Sequence, residues 1–227
     1  MGLNASKVKS TGGSSNTPIL EAGNYPARLV QLIDLGLQAR KPWKGKDKPP
    51  VNQLWVTYEL PTEFMLDEDG NDIEDKPRWI SEKMNLFSLS QDNATSTKRI
   101  TALDPKNDLE GDWGQALGFP CTLTVVQSKD GKYANIGGIS PPMKGLTIGD
   151  LVNDAIIFDL DSPDVKVFND LPDFLQEMVV GNLDYAGSAL QKALGKDAPK
   201  AKAKPTPTGG QADGSQVDDA QTDDAPY

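Results

Sequence analysis

Between Val51 and Leu60 apolar and polar residues alternate: Leu54, Val56, Tyr58 and Leu60 fall on one face, Gln53, Trp55, Thr57 and Glu59 on the other. Successive side chains of a strand point to opposite sides, so this pattern predicts a half-buried strand whose first face is core. Tyr25 to Leu37 is longer and predicts a long first strand that bulges or bends at Gly36, with a length and curvature that suit a small barrel. Trp79 to Leu89 predicts a third strand. Phe119 to Ser128 and Tyr133 to Ser140 flank Lys129-Asp130-Gly131-Lys132, the turn chemistry of a hairpin.

The period changes between these runs. Gln91 to Leu103 predicts a short helix and Asp112 to Gly118 another helical turn, while residues 61 to 78 form an acidic connector with turn residues at Asp67-Glu68-Asp69-Gly70-Asn71-Asp72. Three strands, a helix and a closing hairpin follow the order of an oligonucleotide-binding barrel. The expected fold is therefore mainly β, a five-stranded OB-fold barrel over residues 18–142. Beyond Pro141-Pro142 comes an extension, 143–192. It holds the short apolar run Ala155 to Leu160, then Leu171 to Leu190, where Phe174, Leu175, Met178, Val179, Leu183 and Leu190 recur at amphipathic-helix spacing, broken or ended by Gly181. Residues 1–17 and 193–227 lack any period and are rich in Gly, Ser, Thr, Ala and charge, which predicts a disordered arm and a disordered linker and tail.

Composition removes whole classes of function. Histidine is absent, which takes away the usual zinc ligand and the usual general base near neutral pH. The single Cys121 sits in an apolar run and reads as a buried thiol. No apolar run approaches the roughly 20 residues that span a bilayer. The N-terminus lacks the basic-then-apolar pattern of a secretory signal, and Met1-Gly2 with Ser6 fits a myristoylation motif only superficially.

Asp67 to Asp72 invites a calcium reading, but counting from Asp67 puts glycine fourth and Arg78 twelfth, where an EF-hand loop needs glycine sixth and glutamate twelfth. A solvated acidic turn explains it. Glycine pairs at 12–13, 137–138 and 209–210 lack the lysine and hydroxyl of a phosphate-binding loop. The carboxylates form no cluster on a predicted strand, so the chain reads as a non-enzyme without cofactor or metal.

The net charge of −10 is unevenly distributed. Residues 39–50 hold Arg40, Lys41, Lys44, Lys46 and Lys48 against Asp47, and residues 192–204 hold five lysines against Asp197. Local field decides where a polyanion docks. Trp43 lies inside the first cationic run with no core to serve, and stacking on a base gives it a use. By alternation Trp55 faces away from the core, Trp79, Lys83 and Phe87 share one face of the third strand, and Lys132 and Tyr133 open the fifth. Each alone reads as readily as packing. Together with Arg28 on the first strand they would outline one groove for a single strand.

From Pro205 onward there are five aspartates and no Lys or Arg, and the chain ends Asp223-Asp224-Ala225-Pro226-Tyr227. A plain solubilising tail is the simpler reading. The terminal ring favours a hook, with Asp223, Asp224, Pro226 and Tyr227 entering a partner's basic pocket. This ending is similar to the tip of bacterial and phage single-stranded-DNA-binding proteins.

The core adds to that likeness. Leu20 to Val30 with Asp34-Leu35-Gly36, then Leu54 to Pro61, resembles the opening of a family of phage single-stranded-DNA-binding proteins with an OB fold, and Phe168-Asn169-Asp170-Leu171-Pro172 resembles that family's C-terminal extension. The resemblance spans roughly residues 18 to 185. It implies a replication or recombination accessory that coats single-stranded DNA in the cytoplasm of a bacterial host cell and recruits replication proteins through its tail, with self-association possible. Two other readings stay open: an acidic interaction or DNA-mimic protein acting on a host DNA-binding enzyme, favoured by net charge, and a small nuclease.

Overall fold

The computed structural model describes residues 17–195. The arm up to residue 16 and the tail with Asp223, Asp224, Pro226 and Tyr227 lie outside the described residues.

The long apolar run becomes β1 (Gly23–Gln38), the hub of the molecule. It pairs antiparallel with β2 (Val51–Leu66) along one edge. Along the other edge its first half pairs antiparallel with β4 (Pro120–Gln127), and Gln31 to Ile33 then pair parallel with β6 (Ile156–Phe158). Adding β3 (Asp72–Asn85) beside β2 and β5 (Ala134–Ser140) beside β4 gives the order β3-β2-β1-β4-β5, with β6 attached to β1. Six strands thus replace the expected five, because the apolar run after Pro142 joins the sheet. The acidic connector is also shorter than the composition suggests. β2 runs on to Leu66 and β3 starts at Asp72, leaving a turn in which Asp67 Oδ1 accepts the Asp69 and Asn71 amides at 2.9 and 2.8 Å.

β1 is apolar on both faces because two cores use it. Ala27, Leu29 and Leu32 join Leu54, Val56, Tyr58, Leu60, Ile80, Cys121 and Leu123 in the first core. Ile33 and Leu35 turn to the other side, with Phe158, Phe168, Leu171, Leu175, Val179 and Leu190. The strand register shifts between Leu29 and Gln31 and again between Asp34 and Gly36. The second shift is the anticipated bulge: Gly36 has φ +69°, and a Cβ there would lie 2.8 Å from Leu160 Cδ1, so only glycine lets the extension sit so close.

Helix α1 (Thr95–Leu103) packs across β3, β4 and β5 and buries Ile100 and Leu103. The extension forms three short helices. These are α2 (Val165–Asp170), started by Asp164 accepting the Lys166 amide at 2.7 Å, α3 (Asp173–Val180) and α4 (Ala189–Leu194), started by Ser188. Only α3 and the start of α4 fall within the expected amphipathic stretch Leu171 to Leu190. α3 stops at Gly181 as the pattern implies, and the chain leaves it to donate from Leu183 N to the Leu37 carbonyl at 2.8 Å. No helix among the described residues is long and apolar enough to cross a membrane.

Candidate nucleic-acid interface

The sheet formed by β1, β2 and β3 has an inner face on the first core and an outer face, and register fixes who shares the latter. Trp55 lies opposite Lys83, Thr57 opposite Ser81, and Glu59 opposite Trp79. Side-chain bonds confirm the common face: Thr57 Oγ1 donates to Gln31 Oε1 at 2.9 Å and lies 2.9 Å from Ser81 Oγ. Trp79 and Lys83 therefore share the outer face about 13 Å apart at strand rise, whereas Phe87 lies beyond the strand, which stops at Asn85 instead of running on to Leu89.

Trp79 is held at its polar end and bare elsewhere. Its Nε1–H donates to Glu59 Oε2 at 3.0 Å while the residue stays 40% exposed. Glu59 itself is fully buried. It also accepts the Val152 amide at 2.7 Å and the Asn153 amide and side-chain Nδ2 at 3.3 and 2.6 Å. A buried carboxylate is tolerable only when its lone pairs are filled. Filling them ties the 143–154 connector to the sheet and orients the indole.

The basic loop closes as a tight hairpin. Trp43 and Lys46 exchange both backbone bonds at 2.9 Å, across Lys44 and Gly45 with φ of +49° and +76°. This left-handed pair is what a two-residue turn requires, and glycine at its second place lowers the strain. Trp43 is 42% exposed at the tip, with Lys44 Nζ 3.9 Å and Lys48 Nζ 5.3 Å from its ring centroid. Lys41, Lys44 and Lys46 are exposed. At the base of the loop the Arg40 guanidinium lies 5.9 Å from the ring of Phe87, joining the hairpin to the segment that follows β3.

Three anticipated contacts stand differently. Arg28 is committed to the protein: Nε donates to Gly149 O at 2.6 Å, Nη1 to Gly118 O at 2.7 Å and Nη2 to Ile148 O at 3.1 Å, with Asp150 at 3.4 Å. It clamps the connector, and four of its five N–H donors are engaged. Trp55 is on the outer face as its alternation implies, but half-buried in the second core with Phe174 set edge-on at 5.3 Å. Lys132 and Tyr133, both exposed, belong to the β4–β5 turn, which lies by Gly23 because Gly23 pairs with Val125; the hairpin follows Gln38, paired with Val51. The two loops expected to share one groove thus follow opposite ends of β1.

Sequence reading missed the partner of Trp55. Phe174 and Leu175 both fit the amphipathic spacing, which alone does not say which of the two is covered. It also missed the opposite electrostatic feature, a groove of about 650 Å³ lined by Asp34, Asp112, Asp159, Asp161 and Asp184. Burial raises the Asp34 carboxyl above its usual range, Gly36 and Leu160 amides oppose this, and Asp159 and Asp161 add to it. Phosphates are repelled there. Among the described residues no group of three or more His, Cys, Asp or Glu is placed to hold a metal ion.

The chain matches no family model, no curated protein and no solved structure.

Proposed function

We propose that this chain binds single-stranded DNA without sequence preference, as an accessory in phage DNA replication or recombination. The observation that carries the reading is Trp79 and Lys83 on the outer face of β3, with Phe87 just beyond the strand meeting Arg40 at the base of a cationic hairpin that carries an exposed tryptophan. Single strands are held by cations that follow the phosphates and by aromatic faces that bases stack on, and every base has such a face. Strand order supports a barrel of the oligonucleotide-binding kind: β1 is central, α1 lies between β3 and β4 in the chain, and β3 and β5 end the sheet on two sides of α1. No bond is made or broken. In this reading the acidic tail recruits replication proteins and competes with DNA for the hairpin.

The aspartate-lined groove favours a second reading, an acidic surface that engages a host DNA-binding enzyme. Titration of a fluorescent oligothymidine at two salt concentrations separates the two. With three or four phosphates contacted, log K against log salt should slope at about −2 to −3. No binding, or a slope near zero, would end the first reading and leave the second.

A further inference from the structure

Phe174 is 45% exposed although the next residue, Leu175, is 1% exposed and Val179 is 0%. Those two buried residues fix the rotation of α3, so the ring at 174 is turned outward by packing and held there. It meets Trp55 with ring centroids 5.3 Å apart and planes at 65°. An edge-to-face pair uses one of the four ring faces. Directly across the ladder from Trp55 stands Lys83, exposed, and side chains so paired have Cβ atoms about 4.5–5.5 Å apart.

A phenyl ring and an indole in contact therefore stand beside a lysine of the neighbouring strand, on the same face of β3 as Trp79. We propose that Phe174, Trp55 and Lys83 form a subsite for one unpaired nucleobase and its phosphate. The base lies flat on Phe174, Trp55 backs the ring from its edge, and Lys83 meets the flanking phosphate. This rests on the single-strand-binding reading and adds to it a contact from the extension, outside the β1–β3 sheet. Charge and shape choose the occupant: an acidic peptide has no use for held flat rings, and a purely apolar ligand none for the lysine.

The test uses the full chain and an oligothymidine carrying single 5-iododeoxyuridine substitutions, irradiated and mapped by peptide sequencing, alongside affinity and melting measurements on Phe174→Leu and Phe174→Tyr. Leucine keeps the apolar contact with Trp55 and removes the flat face. The expected results are a cross-link at Phe174 or Trp55, about tenfold weaker binding for Phe174→Leu at unchanged melting temperature, and near-normal binding for Phe174→Tyr. If the wild type binds with the expected salt slope while Phe174→Leu binds equally well, the subsite is wrong and the broader reading stands. A lower melting temperature with unchanged affinity assigns Phe174 to packing and also overturns it. If the wild type does not bind, the broader reading fails first.

Discussion

Arg99 on α1 grips both carboxylate oxygens of Glu82 on β3, Nε to Oε1 at 2.8 Å and Nη2 to Oε2 at 3.0 Å, with side chains only 9% and 12% exposed. The pair sits where the sheet leaves a seam, since β3 and β5 share no ladder, and a Cβ on Gly138 of β5 would lie 3.9 Å from Arg99 Nη1. The ion pair fastens the helix to β3 beside that seam. Removing one partner strands a charge, so Arg99→Ala should cost about 3 to 5 kcal/mol in urea unfolding, and the double change Arg99→Met with Glu82→Leu should cost much less. Equal losses would mean that the stranded charge is not the cause.

Glu59 ties three separate groups to the sheet, and its carboxylate accepts from all of them. Glutamine is nearly isosteric but presents an N–H₂ toward donors. Glu59→Gln should therefore lose at least one charge-assisted bond, about 1.5 to 3 kcal/mol. Amide exchange at Val152 and Asn153 should accelerate before the rest of the sheet. Uniform acceleration over all strands would show that the connector is not what Glu59 holds.

The hairpin tip should be separable from stability altogether. Trp43 is exposed and its two backbone bonds do not depend on its ring. Trp43→Ala should weaken oligothymidine binding by about 1 to 3 kcal/mol with an unchanged melting temperature. Lys44→Ala with Lys46→Ala should flatten the salt slope by more than 1 if each lysine neutralises a phosphate. A lowered melting temperature with normal binding would return Trp43 to a packing role.

β2 was legible because one of its faces lies in a core, and alternation reports that directly: Leu54, Val56, Tyr58 and Leu60 are all buried as read. Gly36 was legible for a related reason, since a glycine inside an apolar strand has few other uses. β6 was not. Three residues carry no period, and Ile156 to Phe158 pair with a stretch of β1 left open because β4 begins opposite Arg28. The site was half legible. Alternation gives a face, so Trp55, Trp79 and Lys83 were placed correctly on one side. It says nothing of what covers that face, so the Phe174 contact, the Arg28 clamp and the distance of Lys132 from the hairpin needed coordinates.

Cys121 couples the core to pH. It is fully buried on β4, and burial pushes its thiol from 9.0 up to about 12, with Arg99 opposing and Glu82 reinforcing the shift. In the unfolded chain the thiol loses its proton near the usual value, whereas the native protein keeps it until about 12. Between those values the unfolded state binds fewer protons, so stability falls as pH rises. The contribution is complete below pH 9 and declines by about 1.4 kcal/mol per unit above it, roughly 4 kcal/mol by pH 12. Tyr58, wholly buried, has its phenol raised chiefly by desolvation and adds a decline of the same sign at higher pH. Cys121→Ala removes only the first of these. Urea unfolding at intervals from pH 8 to 10.5 should give a steeper fall for the wild type than for Cys121→Ala, and a thiol-reactive dye at pH 8 should label the native chain only as fast as it opens. Parallel pH curves, or rapid labelling without unfolding, would place the thiol in contact with solvent and refute the buried-core assignment.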